Sequence, residues 1–314
     1  MRIVKWHINK VVADLAALHY RSDIDSFWRH QEALQIIRHF TFDDVSSKIK
    51  IGDIDHLLSF LEKNFLKKRL SGNGLEVGSG PGTFSAILAC RPLIKEMTAV
   101  EVCAPFVQLL MPKIVDFVAG KDGHKITGCI GNFDQLEIPN HSLDFIFDFF
   151  SLHHSSNICT TFKELFRVLR PGGLLLMIDK ARPEYLTSED LEKMLEWEYD
   201  NIFKKRIGYP SNQKLTRRMN GEKEYKLSDW KRAILDSGLV NFRHFYIAGC
   251  RGRLPFKLIK KIISHFPVSL QHKISWLVPS SKGLFSLSEN NKIFSSTVNL
   301  FTRDVSLMIA DRPN

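Results

Sequence analysis

The chain has 314 residues, of which 44% are hydrophobic and 25% charged, and its formal net charge is +10. That balance excludes a disordered or fibrous protein and suits a large α/β domain with elaborations. No apolar run approaches the ~20 residues that span a bilayer.

Residues 1–70 are expected to form a helical extension, because "HQEALQIIRHF" and "IDHLLSFLEKNFLKK" place apolar residues three and four apart. Asp14 interrupts the apolar patch near the start and no cleavage site follows, so no signal peptide is expected. From position, Tyr20 and Trp28 are candidates for a lid over a bound ligand. Residues 71–314 are expected to form the main domain. Between about 73 and 180, short apolar strands alternate with helices: "NGLEV", "TFSAILAC", "EMTAVEV", "APFVQLLMPKIVDFVAG", "HKITGCIG", "SLDFIFDFF", "ICTTFKELFRVL" and "LLLMID". Such alternation implies βαβ units and a parallel sheet covered on both faces. A helix over 187–206 follows, with Thr187 or Ser188 as N-cap, then the helix "LSDWKRAILDSG" and the strands "VNFRHFYIA" and "DVSLMIAD". Helical insertions on the substrate side are expected at about 183–226 and 251–297.

The second insertion contains a basic amphipathic hairpin over 254–279, in which Lys257, Lys260, Lys261 and His265 oppose Phe256, Ile259, Ile262, Ile263 and Phe266. Most of the positive excess of the chain lies in its last third. Such a hairpin can cap an active site or rest on an anionic membrane surface. Nucleic acid is the weaker expectation, since no RNA-binding motif is present. The five cysteines include no CxxC pair and no metal-ligand spacing, so no metal is expected and reduced thiols in a cytoplasmic protein are. Peripheral contact at the inner membrane surface would come through the hairpin.

The stretch "GLEVGSGPGTFSAIL" (74–88) turns from a strand into a helix, where free N–H groups and the helix dipole favour polar or anionic parts of a ligand. A P-loop needs a Gly-Lys-Ser/Thr ending that is missing here. The dinucleotide pattern needs a third glycine where this chain has Thr83. What remains is acidic-x-G-x-G-x-G, from Glu76, Gly78, Gly80 and Gly82.

With "AVEVCAP", "GNFDQLEIPNHSLDFIF", "FDFFSLHH" and "LFRVLRPGG" following in order, the sequence resembles the class I S-adenosylmethionine-dependent methyltransferases of small-molecule type. The resemblance covers residues 70–180 well and 225–314 loosely. It implies a doubly wound, mostly parallel seven-stranded sheet with its last strand antiparallel, and S-adenosyl-L-methionine as cofactor. It also implies cofactor contacts at Glu76, Gly78, Ser79, Gly80, Gly82, Glu101, Val102, Asn132, Phe133, Asp148 and Phe149. Glu76 would accept from the ammonium group, Glu101 from both ribose hydroxyls, and Asn132 from the adenine amine, where the family usually has an aspartate. Asp148, His153 and His154 follow the fourth strand and are the candidate catalytic groups. The acceptor expected is a small or lipid-linked molecule. An RNA or protein methyltransferase and a non-catalytic binding subunit remain the alternatives.

Overall fold

The computed structural model describes residues 1–8, 51–66, 69–201, 204, 209–249, 285–287, 292–295 and 305–314. Tyr20, Trp28 and the basic hairpin at 254–279 lie outside these residues. The chain divides into two units: Met1–Arg38, Leu70–His244 and Ser306–Asn314 form the first, His39–Arg69 and Phe245–Val305 the second.

In chain order the elements used below are β1 (Arg2–Lys5), α1 (Ile51–Leu61), β2 (Gly72–Val77), α2 (Thr83–Ala89), β3 (Ile94–Glu101), α3 (Met111–Ala119), β4 (Ile126–Ile130), β5 (Leu143–Phe149), α4 (Ile158–Val168), β6 (Leu169–Lys180), α5 (Ser188–Leu195), α6 (Leu227–Asp236), β7 (Val240–Gly249), β8 (Phe285–Leu287), β9 (Lys292–Ser295) and β10 (Val305–Asp311).

The strands of the first unit lie in the order β1-β4-β3-β2-β5-β6-β10-β7. The pairings from β1 to β6 are all parallel. At the end of β10, Arg312 N–H donates to the Gly173 carbonyl near the start of β6, so β10 runs against β6. Contacts of His244 with Ser306 and of Asn241 with Asp311 set β10 against β7 as well. The expected antiparallel last strand is therefore present. The sheet of this unit has eight strands rather than seven. The added one is β1, from the segment expected to be helical, whose register runs from Arg2↔Thr127 to Lys5↔Ile130. "RIV" is β-favouring and can sit on an edge, with exposed Ile3 and the charged ends Arg2 and Lys5.

Strand β5 explains why the ligand end of the sheet lies where it does. "LDFIFDF" is buried almost throughout, as befits a parallel strand covered on both faces. Its last apolar residues lead to a buried Asp148. Helix α4 begins at Asn157, whose side chain accepts from Cys159 and Thr160 N–H, and it buries Ile158, Thr161, Phe162, Leu165 and Val168. Phe162 meets Trp230 of α6 edge-on at 6.0 Å. Trp230 is fully buried, and its indole N–H donates to the Lys180 carbonyl at 2.8 Å, which fixes the end of β6. Before α3, one π-turn over Phe106–Leu110 accommodates Pro112, which has no N–H to give the preceding turn.

Thr187 caps α5 in a capping box with Asp190, as the sequence suggests. The helix stops at Leu195 instead of reaching 206. Beyond it the backbone bonds across to a returning segment, through Arg217 N–H to Trp197, Arg218 N–H to Leu195, and Tyr199 N–H to Leu215. This insertion is closed at its base, where Arg182 N–H donates to Tyr225 and Leu227 N–H to Arg182.

In the second unit, α1 and the π-turn Glu62–Leu66 bury Leu57, Leu58, Leu61, Phe65 and Leu66. The Phe65 and Phe245 rings lie 4.4 Å apart. From Tyr246 onward β7 pairs in parallel with β9, which pairs antiparallel with β8. The insertion expected at about 251–297 contains two short strands among its described residues, both beyond the hairpin at 254–279.

Candidate active site

The glycine turn joins β2 to α2. Gly78, Gly80 and Gly82 have φ of 57°, 52° and 76°, the left-handed region that costs other residues about 1–2 kcal/mol. Two of them are also packed against neighbours. A Cβ on Gly78 would lie 2.3 Å from that of Ser151, and one on Gly82 2.7 Å from Met111 Cγ. Gly80 differs, since a Cβ there would meet no heavy atom within 4 Å. The turn is open at Gly80 alone among these three, which is where a ligand can approach the backbone.

Two buried acids flank the opening. Glu76 Oε2 accepts from Ser85 N–H and Oγ–H at the start of α2. Glu101 Oε2 accepts from Gly80 N–H at 2.8 Å, and its Oε1 from Cys103 N–H at 2.9 Å. Burial pushes the Glu76 carboxyl up to about 7, with Glu101 adding to the shift against the Ser85 hydrogen bonds. Burial raises Glu101 too, against the backbone N–H groups that it accepts from.

The hydroxyls of Ser79 and Thr83 and the Oδ2 of Asp148 are buried without a hydrogen-bond partner. Buried polar atoms are rarely left so, because each costs about 1–3 kcal/mol, and unmet capacity of this kind marks a ligand seat. Together with the space at Gly80, these atoms fit the polar methionine end of S-adenosylmethionine. In the sequence Thr83 marks the lack of a third dinucleotide glycine; in the structure its buried hydroxyl is one of the seat's orphaned polar atoms.

On the adenine side of the expected seat, Asn132 Oδ1 accepts from Asp134 N–H at 3.0 Å, and Phe133 is half-buried against the core. Val102 follows Glu101 and is half-exposed. The Phe149 ring lies 4.5 Å from Phe84 and 5.0 Å from Phe150.

Asp148 has a structural duty as well. Its Oδ1 accepts from Ser151 and Leu152 N–H, at 3.1 and 2.9 Å, and so holds the short turn that carries the two histidines. Burial, with Asp179 nearby, raises its carboxyl well above the ordinary range. Ser151 Oγ donates to the Gly78 carbonyl at 2.9 Å, which ties the same turn to the glycine loop. His153 thus stands two residues from a direct contact with the expected seat.

His153 is buried, and Asp179 at the end of β6 grips it twice. His153 N–H donates to Asp179 Oδ2 at 3.0 Å, and Nδ1 lies 2.7 Å from Oδ1. Its Nε2 lies 3.5 Å from Glu222 Oε2. The His154 ring stacks on His153 with centroids 4.1 Å apart, and its Nδ1 lies 2.9 Å from the Gly221 carbonyl. Glu222 also receives Lys180, Arg217 and the Tyr199 hydroxyl. Burial alone would raise its carboxyl, but His153 and Lys180 outweigh that and hold it ionised well below the usual range. Glu224 pairs with Arg182 and Arg217 behind it. Asp179, Lys180, Tyr199, Arg217 and Glu222 were not among the residues expected from sequence. An acid and a base ending the buried run "LLLMIDK", at the carboxyl end of a parallel strand, were the available signal.

Residues 75–177, which hold the glycine turn, Asp148 and His153, match a protein family described as Methyltransferase domain. Over those residues the chain is similar to a methyltransferase domain. A demethylmenaquinone methyltransferase from Roseiflexus sp. (strain RS-1) is 29% identical over 120 residues, covering 36% of this chain and 45% of that protein. The methyltransferase YcgJ of Bacillus subtilis is 27% identical over 110 residues, or 35% of this chain and 41% of that protein. The crystal structure of YcgJ from Bacillus subtilis aligns with 82% of this chain and 99% of its own at 20% identity and a TM-score of 0.48. The chain thus spans less than half the length of these two curated relatives in the sequence matches. Within the matched residues, the acids and glycines of the motif are brought to one end of the sheet.

The raised Glu76 carboxyl makes the ligand-free protein sensitive to pH. A folded pKa of about 7, above the ordinary 4.5, means that the stabilising contribution is full below about 4.5 and lost as pH climbs through 7. Glu76→Gln keeps an acceptor for Ser85 and removes the charge. The ligand-free variant should therefore melt higher than wild type at pH 8, by about 3 kcal/mol of stability at most, and converge with it near pH 4.5. Equal melting at pH 8 would show that Glu76 is not strained by burial.

Proposed function

We propose that the protein transfers a methyl group from S-adenosylmethionine to a small acceptor that reacts through an acidic hydroxyl, such as a phenol or quinol. The observation that carries this reading is the Asp179–His153 pair, set on a turn bonded to the glycine loop. When bound, S-adenosylmethionine supplies an electrophilic methyl on a sulfonium with its own good leaving group. The chain has to hold both partners in line and take one proton.

Glu76, Ser79, Thr83 and the Gly80 backbone would hold the methionine end, and Glu101 the ribose hydroxyls. Asn132 and Phe133 would meet the adenine. With Nδ1–H donating to Asp179, Nε2 of the neutral His153 ring would receive the hydroxyl proton, beside the Glu222 carboxylate. Asp179 orients the ring and stabilises the imidazolium that results. Asp148 positions the turn. A deprotonated quinol or phenol is nucleophilic at oxygen and at the ring carbon beside it, so this machinery serves either acceptor atom. The name demethylmenaquinone methyltransferase, borne by several relatives, favours a quinol. A lipid-linked tail and contact with an anionic membrane through 254–279 belong to the same proposal.

The test is transfer of labelled methyl from S-adenosylmethionine to a panel of quinols, catechols and simple phenols, with added RNA and protein as competing acceptors. Label is expected in the small-molecule fraction. Label found only in RNA or protein would overturn the acceptor class.

A further inference from the structure

We propose that His153, His154 and Glu222 form a binding site for a divalent transition metal such as Zn2+. Among the described residues, one ligand atom from each lies within 4.8 Å of the others. Zinc bound tetrahedrally to nitrogen and oxygen at about 2.1 Å sets its ligand atoms roughly 3.4 Å apart. The His153 Nε2–Glu222 Oε2 separation of 3.5 Å already matches. The His154 ligand atom has to close inward, and the cations on Glu222 Oε2 have to give way.

The surroundings of both rings are those of metal ligands. His153 Nδ1 is held by the Asp179 carboxylate at 2.7 Å, a carboxylate–histidine–metal arrangement. His154 Nδ1 is held by the Gly221 carbonyl at 2.9 Å. Each contact takes a ring proton on Nδ1, so in the neutral ring Nε2 is the ligand atom. Two imidazoles and one carboxylate suit zinc, nickel, cobalt or ferrous iron better than magnesium or calcium. Glu222 and His154 are half-buried, and His153 is buried.

Lys180 and Arg217 both reach Glu222 Oε2, so its charge is balanced by side-chain cations. A metal must displace the Lys180 ammonium from that oxygen. Lys180 therefore competes with the metal and sets its affinity. The site stands on geometry that does not depend on the methyl-transfer reading. Where both hold, the metal occupies the electron pair that would receive the acceptor proton, and Zn2+ inhibits transfer.

The test uses the full chain, with Zn2+ competed against a chromophoric chelator and Co2+ followed by its visible absorption. One metal per chain is expected, with a tetrahedral Co2+ spectrum lacking the near-ultraviolet band that a cysteine ligand adds. His154→Ala and Glu222→Gln should each weaken binding at least about 100-fold, and Asp179→Asn by about 10–100-fold. Lys180→Met keeps all three ligands and should tighten binding by roughly tenfold. Melting curves in chelator identify any variant that fails to fold; in that event Lys180→Met decides. No stoichiometric binding, a thiolate band, or an affinity unchanged in Lys180→Met would each overturn the site.

Discussion

Gly80→Arg is expected to reduce S-adenosylmethionine binding at least about 100-fold, measured by calorimetry, while the circular dichroism of the folded protein is kept. The reason lies in the difference between the three glycines of the turn. At Gly78 and Gly82 a side chain would strike Ser151 or Met111, so substitution there confuses folding with binding. At Gly80 a Cβ meets nothing within 4 Å. The cost to the fold is then the left-handed conformation, about 1–2 kcal/mol. The guanidinium fills the open space at Gly80 and pairs with Glu101, which now accepts from Gly80 N–H. It also puts a positive charge where the sulfonium and ammonium of the cofactor are expected. Gly80→Ala is the milder control, with the same strain and little bulk. Undiminished binding by Gly80→Arg would remove the glycine turn from the cofactor site.

The second large effect is on turnover. His153→Gln should lower kcat by about 10²–10⁴-fold with the true acceptor, the range that a positioned base supplies. Asp179→Asn should lower kcat by a similar factor. An amide can accept the His153 backbone N–H but offers no charge to an imidazolium. Both variants should leave the KM for S-adenosylmethionine near the wild-type value, because neither residue touches its expected seat. A purely structural role for Asp179 would lower thermal stability without that split between kcat and KM. Unchanged kcat in His153→Gln would assign the proton to water or to the acceptor itself.

How much of this was legible in the sequence differs between the two halves of the site. The cofactor side was written in consecutive residues. Glu76, Gly78, Gly80 and Gly82 are local, and their chemistry follows from a strand turning into a helix. Glu101 is placed by the next parallel strand, which the alternation of elements already implied. The acceptor side is assembled from segments far apart in sequence. His153 and His154 stood out as a pair, but nothing adjacent to them marked Asp179 as the partner. Asp179 is fully buried, yet in "MIDK" it looks like the polar end of an apolar strand. Glu222 sits in "NGEKEYK", where alternating charges resemble a solvated loop. The bridge between Arg182 and Lys226, with the pairs Lys180–Glu222 and Arg182–Glu224, folds that loop back to the end of β6.

The departures of the fold have similarly local causes. The 187–206 pattern is periodic enough for one helix, but Arg218 pairs with Glu192 and Glu196 and the returning backbone takes the place of further helical turns. The helical reading of residues 1–70 rests on "HQEALQIIRHF" and "IDHLLSFLEKNFLKK", well after the first five residues. Their β-branched pair, Ile3 and Val4, pairs with β4 instead.

The most direct test is a calorimetric titration of the full chain with S-adenosylmethionine at pH 6 and pH 8, in buffers of different ionisation heat. The site pairs a cationic ligand with Glu76, whose burial raises it to about 7. A cation beside that carboxyl favours its charged form, so binding should release a proton and be tighter at pH 8 than at pH 6. One site per chain with that pH dependence is the predicted result. No saturable binding at either pH would contradict the account at its centre.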